Sequence, residues 1–468
     1  MSISRIARLV RATSWIALAA IGVGAAAPPV RDLQSYGEAV HKASADPAIA
    51  QALRQISPER IRHTIETLVS FRTRNTLSSL DNDLPKDRGI NAAAAWIDAE
   101  FERYSADCHG CLEIKRDTFT ESVQQRIPRP TPITNLYAIL HGSDPAQARR
   151  VYLVTGHYDS RASDVLDSHA DAPGANDDAS GVAVSLECAR VLSTLKPPAT
   201  IVFVTVAGEE QGLNGSRHLA KLTQELGWQV EAVLDNDIVG GNTTPGDRRQ
   251  DKSAVRVFSE GTPAAATPEQ TKLIVSLGYE SDSPSRELAR AVADVGETYP
   301  GVAAVLEFRK DRFLRGGDHT PFNELGIAAV RFTEWREDYN HQHQTPRTEN
   351  GVEYGDLLKF VDFQYVSHVA ALNAATLATL ASAPAGPTNV RILTNTLGND
   401  STLQWQGAAG ARYEVVWRQL GAPQWQRSVE VTQPGATLPV SKDNVIFGVR
   451  SVDALGHRSP AVAPLPER

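Results

Sequence analysis

The chain has 468 residues, of which 41% are hydrophobic and 22% charged, with a formal net charge of −8. That length allows two or three domains, and the composition is ordinary for a globular protein. The acidic balance argues against nucleic acid or an anionic membrane as the main partner.

In chain order, Arg5, Arg8 and Arg11 precede the apolar run Ser14 to Ala27, which ends Gly24-Ala25-Ala26-Ala27. This is the pattern of a secretory signal peptide over residues 1–27, too short to span a membrane comfortably, although Pro28 disfavours a cut directly after Ala27. No later segment reaches the length of a membrane span. The expectation is an exported protein, periplasmic or secreted, with no span left once the signal is removed. Cys108 and Cys111 form a Cys-His-Gly-Cys pair. In an exported chain such a pair reads as a local disulfide, whereas Cys188, on the apolar face of a helix, reads as a small buried hydrophobe.

Residues 28–125 are expected to form a helical segment packed on the domain that follows. Ser57-Pro58-Glu59 is a helix start, with Ile61, Ile65, Leu68 and Val69 on one face, and Asn91 to Tyr104 is a second helix. Strands and helices then alternate over 126–381. Asn135 to Leu140, Val151 to Thr155, Thr200 to Val206 and Val230 to Leu234 read as strands; Ser180 to Leu195, Asn214 to Leu226 and Tyr354 to Ala381 read as helices. Such alternation implies an α/β fold, a mixed and largely parallel sheet with helices on both faces. Gly240 to Ser253 and Ser276 to Asp311 read as loops that shape a pocket, with Arg309 to Arg312 a solvated stretch. Ser382 to Pro387 is a non-helical linker, and the six short alternating segments of 388–468 indicate a small all-β sandwich. Trp405, the alternating Tyr413-Val415-Trp417 and the segment Phe447 to Asp453 resemble a fibronectin type III module, a candidate surface for binding a protein.

The chemistry gathers at the ends of apolar runs: His157-Tyr158-Asp159, Asn176-Asp177-Asp178, Glu209-Glu210, Asp235-Asn236-Asp237 and His341-Gln342-His343, of which His157, Glu209-Glu210 and Asp237 directly follow strands. Carboxyl ends of parallel strands are where sites form in open α/β sheets. A hydrolytic metal site needs matched ligands, a base and an open coordination position. His157 and Asp159 are two apart on an extended segment, so the carboxylate can orient the imidazole. Side chains of the adjacent Glu209 and Glu210 diverge, so one can bind metal while the other serves as base. Asp235 competes with Asp237, and His341 with His343, for the same roles.

In this order the stretches resemble the co-catalytic dizinc aminopeptidase family, which includes glutamate carboxypeptidase, the transferrin receptor ectodomain and glutaminyl cyclases. The likeness covers about residues 57 to 380. It implies that His157 and Asp237 hold one Zn²⁺, Glu210 and His343 the other, and Asp177 bridges them. Asp159 would orient His157, Glu209 would be the base, and the Asp177-Asp178 peptide would be cis. Asp318, His319 and Tyr339 are implied beside the ligands or the substrate, unless Asp318 and His319 only hold a loop. Two Zn²⁺, three carboxylates and a hydroxide bridging the ions sum to zero charge, which favours deprotonating water near neutral pH. The implied activity is hydrolysis of N-terminal peptide bonds by an aminopeptidase acting on peptide or protein substrates. A single-zinc cyclase, or a carboxypeptidase or amide hydrolase of the same fold, is the competing reading. Arg347 and Gln342 depart from the family, which often has an Asp and a Tyr there, and this bears on substrate preference rather than on zinc.

Overall fold

The computed structural model describes residues 30–407 and 411–468, so the expected signal peptide lies outside the described residues. Its centre is an eight-stranded mixed sheet. In chain order the strands are β1 (Leu112–Glu121), β2 (Thr131–Leu140), β3 (Arg150–His157), β4 (Thr200–Val206), β5 (Gln229–Asn236), β6 (Ala254–Ser259), β7 (Ala303–Glu307) and β8 (Ala329–Glu334). They lie side by side as β1-β2-β4-β3-β5-β8-β6-β7. β4, β3, β5 and β8 run parallel, so their carboxyl ends share one edge of the sheet.

Alternate residues of the central strands enter different cores, as a sheet covered on both faces requires. Tyr152 and Val154 of β3 join one large cluster with the helices α1 (Pro58–Ser70), α2 (Ile90–Asp107), α3 (Ala179–Leu192) and α6 (Phe363–Ser382). Val151 and Leu153 join a second cluster with Leu219 and Ala220 of α4 (Asn214–Glu225). Among the described residues no helix is long and apolar enough to cross a membrane. Cys108 and Cys111 are disulfide-bonded with Cα atoms 5.5 Å apart, and Cys188 is free and buried.

Several boundaries differ from the sequence reading. β1 pairs with β2 along ten residues, so the central sheet begins inside the segment expected to be helical. β1 is an edge strand whose polar side chains are mostly solvated, and Leu112, Ile114 and Phe119 alone give it too weak a period to read. The last helix begins at Phe363, not Tyr354: Asp362 caps it by accepting from the N–H of Gln364 and Tyr365, each at 3.1 Å. The stretch Ser276 to Asp311 contains the helix α5 (Pro284–Thr298) as well as β7.

Residues after the linker form two four-stranded sheets packed through Leu403, Trp405, Val415, Trp417 and Phe447. One edge is supplied from the other end of the chain. Glu38–Ala39 pairs with Arg427–Val431, and Leu33 enters the sandwich core. The N-terminal segment thus belongs in part to the C-terminal module, a pairing too short to leave a sequence signal. The module docks on α5: Trp425 Nε1 donates to Glu287 Oε2 at 3.0 Å, and Arg290 Nε donates to the Pro423 carbonyl at 2.7 Å. The linker is fastened as well, because Arg150 donates to the Ala383 carbonyl and Ser451 to that of Ala385.

Candidate metal centre

His157 ends β3, Glu209 and Glu210 follow β4, and Asp237 follows β5. Asp177 arrives from the loop before α3, and its peptide to Asp178 is cis, as the resemblance implies. That loop reaches the strand ends because glycines permit close approach. A Cβ on Gly156 would lie 2.4 Å from the Gly181 carbonyl carbon, and one on Gly181 would lie 2.0 Å from the Asn236 oxygen. Asp178 is the clasp. Its Oδ2 accepts the His157 N–H at 3.0 Å, and its Oδ1 accepts those of Gly181 and Ile238 at 2.9 and 3.3 Å. Ile238 and His343, both beside or within the site, adopt positive φ of 62° and 55°, a conformation costly for non-glycine residues and typical of functional sites.

Two triads result, and Asp177 belongs to both: His157, Asp177 and Asp237 form one, and Asp177, Glu210 and His343 the other. His157 Nε2 lies 3.1 Å from Asp177 Oδ1 and 3.8 Å from Asp237 Oδ1. His343 Nε2 lies 3.0 Å from Asp177 Oδ2 and 3.3 Å from Glu210 Oε1. His157 Nε2 and Asp237 Oδ1 are buried without a hydrogen-bond partner. Orphaned polar atoms in a core are costly, so a pair facing one point is what a metal position looks like from the protein side. The donors, imidazole and carboxylate, suit Zn²⁺.

Electrostatics points the same way. Burial opposes charge on His157, yet Asp159, Asp177 and Asp237 raise its pKa well above the usual imidazole value. Burial also opposes charge on His343, but Glu210 and Asp177 lift it to about 11. Without cations, the carboxylates draw a proton onto each ring; a divalent ion satisfies the same field. Burial, reinforced by Glu210, Asp237 and Asp318 against the pull of His157, pushes the Glu209 carboxyl well above its ordinary range.

Asp159 does more than face His157. Its carbonyl lies 3.1 Å and its carboxylate 3.5 Å from His157 Nδ1. The carboxylate also accepts the N–H groups of Glu209 and Glu210 at 3.3 and 3.2 Å, and the Thr76 hydroxyl at 3.0 Å. One residue therefore positions an imidazole and the paired glutamates together.

The competing residues separate cleanly. Asp235 Oδ2 lies 3.1 Å from His319 Nδ1 and accepts the His319 N–H, while His319 Nε2 meets the Lys310 carbonyl at 3.0 Å. His319 is thus committed to holding its loop against β5, and Asp318 beside it is buried. His341 stacks on Phe360 with ring centroids 3.7 Å apart, outside both triads. Tyr339 is 66% exposed and belongs to neither triad. Asp311 and Arg312, expected in a solvated stretch, are buried in an ion network with Arg331 and Glu337.

Three positioning residues left no signal in the sequence. Asp356 Oδ2 accepts the N–H of Asn176 at 2.9 Å and of Asp177 at 2.7 Å; burial pushes its carboxyl up to about 7. Glu334 accepts from Asn176 Nδ2 and from the Asn242 N–H, and burial raises it to about 8. Arg331 Nη2 lies 2.7 Å from Asp237 Oδ2.

Comparison with known proteins shows the family. A sequence profile described as peptidase family M28 matches residues 135–354, which contain both triads. A protein of Leptosphaeria maculans named "Probable zinc metalloprotease" is 46% identical over 424 residues, covering 89% of this chain and 97% of its own length. A protein of the same name from Pyricularia oryzae is 46% identical over 443 residues, covering 92% and 87%. The crystal structure of an aminopeptidase of Legionella pneumophila superposes with a TM-score of 0.51 at 21% identity, covering 74% of this chain and 78% of that one, a likeness of fold. With such identity over nearly the whole length, the chain belongs to peptidase family M28.

Proposed function

We propose that the protein is a zinc-dependent metallopeptidase, an aminopeptidase hydrolysing N-terminal peptide bonds, with two Zn²⁺ held by His157 and Asp237 on one side, Glu210 and His343 on the other, and Asp177 between them. The observation that carries this reading is the sharing of Asp177: its two oxygens lie 3.1 and 3.0 Å from the two imidazoles. A carboxylate engaged from both oxygens is what a pair of ions requires. The names of the full-length relatives support zinc and proteolysis.

When bound, the ions supply Lewis acidity toward a peptide carbonyl and toward water. The protein's own part falls to Glu209. It follows a buried strand, is fixed through its N–H by Asp159, and is less buried than its neighbour Glu210. As a carboxylate beside the two triads, it is placed to accept a proton from the attacking water and return it to the leaving amine, a role contributing about 10²–10⁴ in rate. Asp178, Asp356 and Asp159 hold the ligand-bearing backbone in place, and the sandwich carries no chemical step. The apolar N-terminal run and the Cys108–Cys111 disulfide support export to a periplasmic or extracellular setting.

A panel of peptides with free N-termini, blocked N-termini and N-terminal Gln, assayed with and without chelator, tests the activity. Chelator-sensitive release of N-terminal residues is expected. Cleavage confined to blocked peptides, or cyclisation of N-terminal Gln with one zinc per chain, would replace this reading.

A further inference from the structure

The two triads differ in one respect that their ligands alone do not reveal. Arg331, on β8, has a fully buried side chain, and its Nη2 sits 2.7 Å from Asp237 Oδ2. The other oxygen of Asp237 is the unpartnered atom facing His157. The guanidinium is itself fixed, with Nη1 donating to the Gly316 carbonyl at 3.0 Å and lying 3.4 Å from Asp311 Oδ2. In the second triad, among the described residues, no lysine or arginine pairs with the carboxylate of Glu210 or Asp177.

Resting on the two-metal reading above, we infer that Arg331 makes the two positions unequal: zinc fills the Asp177–Glu210–His343 position first, and the His157–Asp177–Asp237 position binds it more weakly. Two physical effects act together. A carboxylate with one oxygen in a close ion pair with a guanidinium is less basic and so a poorer donor through the other. A guanidinium stays charged at any working pH, and in a buried site its repulsion of a cation on the far side of the same carboxylate is little screened. Asp159 works in the opposite direction, strengthening His157 through Nδ1. That contact is a 3.1 Å approach to a carbonyl with the carboxylate at 3.5 Å, weaker than a 2.7 Å ion pair. Partners of ligands tune metal affinity by about 10- to 100-fold, and at least about tenfold separation is expected here.

The test is zinc titration of the metal-stripped full chain against a competing chromogenic chelator, which reads affinity without activity. Wild type should bind in two steps at least about tenfold apart. His343→Ala should remove the tight step and His157→Ala the weak one. Arg331→Met should narrow the gap by about tenfold or more, while Arg331→Lys, which keeps the charge, should preserve most of it. Two equal steps in wild type overturn the inference, as does loss of the tight step in His157→Ala. A weaker second step in Arg331→Met also overturns it, because Arg331 would then be aiding Asp237 by orientation. Should Arg331→Met fail to fold, the two histidine variants still decide the order of filling. Fewer than two zinc per wild-type chain would defeat the two-metal reading as well, an outcome distinct from two equal steps.

Discussion

Where the sandwich docks on the catalytic domain, Arg290 and Arg418 face Asp282 and Glu287, so two buried cations meet two buried acids. At the carboxyl edge of the sheet, Asp177, Glu210, Asp237 and the raised Glu209 face two imidazoles and Arg331. The first cluster balances itself and holds the docked module in place. With its imidazoles neutral, as metal ligands are, the second carries surplus negative charge, so its balance has to come from outside the chain, as protons on the rings or as cations. Burying charge is costly in both places, and only the second arrangement leaves room for a cation.

Breaking each cluster should therefore give different failures. The largest effect is expected for Asp177→Asn, which removes charge from both positions: zinc content should fall and peptidase turnover should drop by roughly three orders of magnitude or more, read by metal analysis and steady-state kinetics. Next, Arg418→Met leaves Asp282 short of a cation and should lower unfolding stability by about 3–5 kcal/mol in urea melts. Its zinc content should nevertheless stay at the wild-type value. Deleting the whole sandwich should destabilise the remainder for the same reason, since Glu287 and Arg290 would lose Trp425 and the Pro423 carbonyl. Smaller still, Asp356→Asn loosens the backbone that presents Asp177 and should weaken zinc binding about 10- to 100-fold with little change in melting of the metal-stripped protein.

The smallest effect is a pH slope from the interface. Burial pushes the Glu287 carboxyl up to about 7 from an ordinary value near 4.5. A group whose folded pKa is raised contributes stability below its unfolded pKa and loses it as pH rises through the folded one. Stability should thus decline between about pH 4.5 and 7 by at most about 1.4 kcal/mol per pH unit, and Glu287→Gln should flatten that slope. A slope unchanged in the variant would assign the titration to another group.

His157, Glu210, Asp237 and Asp177 are legible as candidates because they stand at the end of a buried strand or the start of a helix, whereas His343 lies in a loop and is carried only by the resemblance. β4 is legible with both its ends, since a near-continuous β-branched run admits little else. Asp235 and Asp237 compete in the sequence and only the resemblance implies Asp237; in the structure Asp235 pairs with His319. What pattern could not reach came from distant loops. Thr76, Arg331 and Asp356 act through contacts across 83, 94 and 179 positions in the chain, and no local period encodes such pairings. Arg312 lies in a run of charges that resembles solvated loop, yet the acids that neutralise it place it inside. β1 and the Glu38–Ala39 strand escaped for a related reason, being edge strands that bury too little to carry a hydrophobic signature.

The most direct test of the account is zinc analysis combined with peptide hydrolysis for Glu209→Gln. Two zinc per chain, as in wild type, with turnover reduced by about 10²–10⁴, is the predicted result. Wild-type turnover in that variant, with both zinc ions retained, would contradict the assignment of the base and with it the proposed chemistry of the site.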